Sequence, residues 1–354
     1  MSASYRQLAR EPAPLASGRG GRRRAGRARG SGSGRGRRSS PLSWRWSDRL
    51  MLAAAWLVGL ALSAIAGAIV VYLGVRGIQY LRPGLIFSHP QTSANQSGSG
   101  GFLDPLLGTI ILTVIGVAVA LPLAVASAAW VVEYGHGGRV RETLARLVES
   151  SIEIVAGTPD IVIALFGLAV FQISLMAPFS FRAEGGGVYG HSFIACGLMM
   201  SLLALPPLYA ATRDGLQSVP GHMREAAYAL GKTRITTIRR VLLPNIRSHI
   251  ATGTTLGVSR IIGSTAMVLI VLGSTLRIET QGSVPVIDLL RGTGSSLTSY
   301  IYENSPAGEG AAPQKAYAAA FLLLVFVLVL NLLVDRSARS QAQASGLTTV
   351  TGVV

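Results

Sequence analysis

Long uncharged runs alternate with short charged connections along this chain. Six of the runs, at about 51–73, 107–132, 152–174, 191–212, 250–275 and 316–334, approach the ~20 residues that a helix needs to cross a hydrocarbon core. The pattern predicts an all-α membrane protein with six transmembrane helices. Ala64-Ile65-Ala66 in the first run resembles a leader cleavage site, but the apolar residues continue to Leu73, so the segment reads as a retained helix.

The loops give an orientation through their Arg and Lys. With the amino terminus inside, the inside segments hold thirteen basic residues before the first run, Arg139, Arg141 and Arg146 after the second, seven across 213–248, and Arg336 with Arg339 at the end. The outside loops hold two, one and three. Both termini are therefore expected in the cytoplasm. Arg277, Glu279, Asp288, Arg291, Glu303 and Glu309 fall in the long outer loop and read as solvated.

Composition agrees, with 49% hydrophobic and 14% charged residues. The net charge of +16 raises the question of nucleic-acid binding, so its position matters. Residues 1–50 carry thirteen Arg against Glu11 and Asp48, and the remaining charge is thinly spread. Segment 17–40 is Gly, Ser and Arg with almost nothing to bury, and it reads as disordered. It lacks the aromatic residues that stack bases, so a cytoplasmic tail resting on anionic membrane lipid is expected and no nucleic acid. The division is a tail over 1–47, a transmembrane domain over 48–336 and a second tail over 337–354. Cys196, the one cysteine, excludes an intramolecular disulfide and a cysteine-based zinc site. No paired carboxylates, nucleophile–base set or metal-ligand spacing stands out, so neither a catalytic residue nor a cofactor is expected.

The longest inside loop, 218–244, carries the most specific local pattern. Pro220 suits the first position of a helix, Glu225 to Leu230 are good helix formers, and Gly231 can adopt the left-handed conformation that closes one. Thr233 is placed to cap a second helix, which Pro244 is expected to terminate. Ala226-x4-Gly231-Lys232-Thr233 also satisfies a loosened phosphate-loop pattern. That pattern requires a buried strand before it and free Gly-rich backbone, whereas 227–230 is helix-forming.

Glu225-Ala226-Ala227, three residues, Gly231, nine residues and then Val241-Leu242-Leu243-Pro244 resembles the EAA motif of ABC-importer permeases. Further matches extend from about Trp46 to Arg336 and are similar to the PstA-type permeases of phosphate-specific transport systems. They include Gly108-Thr109, Val132-Glu133-Tyr134-Gly135, Ala156-Gly157-Thr158-Pro159, the run from Ser259-Arg260 to Gly263-Ser264-Thr265-Ala266, and Leu330-Asn331-Leu332-Leu333. The resemblance implies a type I permease fold whose first loop helix, with Glu225, Ala226, Ala227, Gly231 and Pro244, couples to an ABC ATPase dimer. It also implies a second related permease, an extracytoplasmic phosphate-binding protein, and phosphate as the solute. Another oxyanion or small solute is the alternative within the family; a secondary transporter or channel is the alternative outside it.

Arg260 is the residue that points to an anion path. A guanidinium within a membrane helix costs about 3 kcal/mol on insertion scales and faces protein or water. Gly253, Gly257, Arg260 and Ser264 share one helical face, with the glycines admitting a close neighbour and Arg260 expected in a bundle-lined space. Family members usually carry a glutamate at position 264 and an arginine at 210, where this chain has Ser264 and Ala210. Arg213, three residues on, lies on nearly the same face as 210. Position 160 is usually small and polar in the family, but here it is Asp160. Two readings of it stand: a displaced counter-ion of Arg260, for which the incoming anion competes, or a cap on backbone freed by Pro159.

Overall fold

The structure is a computed structural model that describes residues 46–81, 83–90, 100–180, 190–273, 275, 278, 285–306 and 312–344. The Arg-rich tail up to residue 45 and the last ten residues lie outside the described residues, as do Arg277, Glu279 and Glu309. The chain divides into two units, residues 1–63 and 64–354, and the packing below belongs to the second.

Four helices are long and apolar enough to cross a membrane. They are α1 (Trp46–Tyr80), α2 (Leu103–Tyr134), α5 (Phe193–Ser218) and the segment to Val334 of α9 (Pro313–Ala344). The remaining two predicted spans are broken. The third is α3 (Arg139–Gly157) followed by α4 (Asp160–Phe171), meeting at 108°. The cause is local: Pro159 has no N–H and disfavours helical geometry in the residue before it, and Thr158 is extended (ψ 132°). The fifth is α7 (Arg247–Gly263), which breaks at Ser264 and resumes over Thr265–Leu272 at 54°.

The core forms where α2, α5 and α7 pack together. Along α2, Gly108, Leu112, Gly116, Ala120, Ala124 and Ala128 recur at every fourth position, and all are buried. Apart from Leu112 these are Gly and Ala, which let helix backbones approach closely, and that substitutes for the hydrophobic drive that is absent between helices in lipid. Gly253 and Gly257 do the same for α7. A Cβ at Gly253 would stand 2.9 Å from Ala211 Cβ, and one at Gly257 would stand 3.2 Å from Leu208 Cδ1.

At one end of this core, α8 (Leu297–Asn304) sits over α2, with the Leu297 N–H donating to Thr109 Oγ1 at 2.9 Å. Buried Asp104 lies 3.0 Å from His89 Nδ1 there. Asp288, read from the sequence as solvated, is 6% exposed, because the short helix Pro285–Arg291 packs against α5.

At the other end, α6 (Gly221–Ala229) begins one residue after the expected start, with Pro220 as its extended N-cap. Gly231 has φ +73°, its N–H bonds Tyr228 O at 2.9 Å, and Lys232 N–H bonds Ala227 O at 3.1 Å. These left-handed closing bonds end the first loop helix. Thr233 caps the next turn, accepting from the Thr236 N–H at 3.4 Å. Pro244 does not terminate the second helix. The chain passes through a π-turn at Ile238–Leu242, whose wider register ends with Leu243 N–H on Ile238 O. Pro244 then sits in the first turn of Leu243–Asn245, where its missing N–H costs nothing, and the chain continues into α7.

Candidate functional site

Two arrangements stand out, one at the loop end of the core and one within the spans. In the loop, Glu225 and Ala226 are exposed while Ala227 is buried against the protein. Leu230, 79% exposed, tops the turn at Gly231. The docking of this helix depends on a residue that sequence reasoning missed. Arg224, directly before Glu225, donates from Nε to Glu133 Oε1 at 2.8 Å and to the carbonyls of Val219 (2.7 Å) and Leu216 (2.6 Å). It thereby satisfies carbonyls at the end of α5 and a carboxylate that is only 7% exposed. Arg234 completes the clasp, donating to the backbone carbonyl of Glu133 at 2.8 Å and stacking over the Tyr134 ring at 5.6 Å. The available signal was an acidic residue closing an apolar run, matched by one arginine within the loop helix and another just after it.

Within the spans, Arg260 Nη2 donates to Asp160 Oδ1 at 3.2 Å. Both residues stand beside breaks: Asp160 opens α4 just after Pro159, and Arg260 lies in the last turn of α7 just before Ser264. Helix starts favour negative and helix ends positive charge, so each residue stands at the helix end that suits its sign. Arg260 is thirteen residues beyond Arg247, about 20 Å along a helix rising ~1.5 Å per residue, which is deep on the scale of a ~30 Å core. The pair is not enclosed as expected. The Arg260 side chain is 48% and that of Asp160 33% exposed, because α5 covers the glycine end of the α7 face and leaves the arginine end open. Exposed apolar residues flank the pair on both helices, with Leu256 on α7 and Ile161, Val162 and Phe166 on α4.

The other two pathway candidates are placed elsewhere. Ser264 occupies the α7 break, is 4% exposed, and makes no hydrogen bond through Oγ among the described residues. Arg213 pairs with Glu149 at 2.9 Å, tying α5 to α3 five residues before the end of α5. Together with Arg146, His136 and Gln217 these two line an open cavity of about 410 Å³. The structure thus holds two ion pairs across the broken third span, one on each side of Pro159.

Residues 120–344 match the family described as binding-protein-dependent transport system inner membrane component. The chain belongs to that family. Relatives include the phosphate transport system permease protein PstA 1 of Mycobacterium tuberculosis (strain ATCC 25618 / H37Rv), 31% identical over 234 residues, 66% of this chain and 68% of that protein. The PstA permease of Mycobacterium leprae (strain TN) is 32% identical over 234 residues, covering 66% and 69%. The probable ABC transporter permease protein YqgH of Bacillus subtilis (strain 168) is 31% identical over 234 residues, covering 64% and 71%. In solved structures, a chain of a bacterial alginate ABC transporter, crystallised with an alginate pentasaccharide-bound periplasmic protein, aligns at TM-score 0.54 and 17% identity. The alignment covers 86% of this chain and 99% of that one, and it speaks to fold alone. The fold is the all-α, type I importer-permease fold, and the chain is a multi-pass inner-membrane protein of a PstA-like kind. Members of this family work with an ATPase and a binding protein.

Proposed function

We propose that this chain is the permease component of an ATP-driven phosphate importer, forming half of the path and coupling to a separate ATPase dimer. The observation that carries the reading is the Arg260–Asp160 pair, half open at membrane depth and flanked by exposed apolar residues on both helices. Lipid does not tolerate such a pair, whereas a second, related permease enclosing a watered path does. Arginine suits a tetrahedral oxyanion because its planar donors match two oxygens at once. On this reading Asp160 is the partner of Arg260 when no anion is present, and Arg213, near the loop end, is a second guanidinium along the route. Phosphate as the solute is supported by the relatives named as phosphate permeases.

The loop end faces the cytoplasm in this scheme, together with both termini. The exposed surface of Glu225, Ala226 and Leu230 enters a cleft of the ATPase. The clasp of Glu133 by Arg224 and Arg234 then carries ATPase movement into α2, while Arg224 carries it into α5. An extracytoplasmic phosphate-binding protein delivers the anion to the opposite end. The test is phosphate uptake by cells in which this gene is the only permease gene of its type. Wild-type chain should restore binding-protein-dependent uptake, and Arg260→Gln should reduce it by about tenfold or more, the scale of a lost charge-assisted contact. Restored uptake of another oxyanion in place of phosphate, or unchanged uptake with Arg260→Gln, would overturn the reading.

A further inference from the structure

We propose that Asp160 makes the path selective for oxyanions that still carry a proton: its carboxylate accepts the P–OH of hydrogen phosphate while Arg260 holds the ionised oxygens. The inference rests on the phosphate reading above and adds a selecting residue to it.

Among the described residues the hydrogen bond made by the Arg260 guanidinium is the one to Asp160 Oδ1. A guanidinium has five N–H donors, so the pair leaves it able to bind an anion as well. The second carboxylate oxygen of Asp160 is not used in that contact, and the side chain is 33% exposed on the same open face. An anion seated on Arg260 therefore meets a carboxylate within reach of its own oxygens. An ionised carboxylate is an acceptor only. Asp160 stands in the first turn of α4, the end of a helix at which a negative charge is favourably placed. Sulfate, with no proton to donate, brings bare oxygens against that acceptor and is repelled. Hydrogen phosphate presents one hydroxyl and donates it. The discrimination is the one general to polar sites: a partner group left without its hydrogen bond penalises the analogue that lacks it.

The test uses the purified permease–ATPase complex without the binding protein, so that upstream selectivity does not enter. Thermal stabilisation is titrated with phosphate, sulfate and monofluorophosphate, which matches hydrogen phosphate in shape and charge but has fluorine in place of the hydroxyl. Wild-type complex should be stabilised by phosphate at concentrations about tenfold or more below those needed for the other two, a modest ratio because the pair is half exposed. Asp160→Asn, whose amide both accepts and donates, should bring the three anions to within about threefold of one another. Asp160→Glu should retain the preference. Should the Asn variant fail to assemble, Asp160→Ser removes the same charge and is read in the same way. A phosphate preference unchanged in the neutral variants overturns the selection by Asp160 and leaves the arginine's role intact. Absence of any phosphate effect on wild type, or an effect that survives Arg260→Gln, overturns instead the anion site on which the inference stands.

Discussion

Glu133 and Arg224 are ninety-one residues apart in the chain and meet at 2.8 Å, joining the last turn of α2 to the helix of the EAA loop. The carboxylate is 7% exposed and so has little water to fall back on when its partner is removed, whereas Arg224, 21% exposed, keeps its bonds to Val219 O and Leu216 O. Arg224→Ala should destabilise the protein by about 3 kcal/mol, since it strands a buried charge. Glu133→Gln should cost less, because an amide oxygen still accepts from Nε. The double variant Glu133→Gln, Arg224→Ala should recover part of the loss, giving a non-additive cycle in thermal unfolding of the solubilised chain. Strictly additive effects would show that the two residues act separately.

Gly231 tests the loop through backbone geometry alone. A Cβ there would meet nothing within 4 Å, so the cost of substitution comes from φ +73° rather than from a clash. Gly231→Ala should cost about 1 kcal/mol and leave ATPase co-purification near wild type. Gly231→Pro removes the N–H that bonds Tyr228 O and imposes a negative φ, so ATPase co-purification and transport should fall while membrane insertion persists. Transport at the wild-type rate by the proline variant would contradict the coupling role.

The glycines of α7 divide into covered and open ones. Gly253→Leu should be destabilising by about 1–3 kcal/mol, because Ala211 and the Leu208 backbone already lie near 3 Å from its Cβ direction. Gly263, one helical turn later than Arg260 and on open surface, has nothing within 4 Å of that direction. Gly263→Ala should leave the unfolding temperature of the isolated chain unchanged within error. If it also impairs assembly with the second permease, that surface is covered in the importer; assembly unaffected by bulkier residues there would place the partner elsewhere.

Asp160 and Arg260 should behave as a coupled pair in stability. Asp160→Asn and Arg260→Gln each leave one charge without its counterpart at membrane depth, and the double variant should be less harmed than the sum of the two, by about 1 kcal/mol. Additivity in unfolding of the isolated chain would mean that the 3.2 Å contact carries no net energy.

What the sequence determined by itself is what depends on residues close together in the chain. Six apolar runs announced an all-α membrane protein, since a run of that length has few other places to be. Glu225, Gly231 and Pro244 marked the loop, and Gly231 adopts the left-handed φ because no other residue type tolerates it as readily. The Pro159 break could have been read from Thr158-Pro159, but span length dominated that judgement, because prolines occur within membrane helices that remain whole. Pro122 in α2 and Pro206-Pro207 in α5 are such cases. Tertiary structure alone decided which side chains meet. The composition of α2 does not say that Glu133 will face Arg224, nor that of α5 that Arg213 will take Glu149. The openness of Arg260 also followed from packing: the close fit of Gly253 and Gly257 against Leu208 and Ala204 fixes where α5 stops covering α7. Such contacts join residues separated by between 45 and 100 positions in the chain, and they are set by helix packing, which no local window of sequence contains.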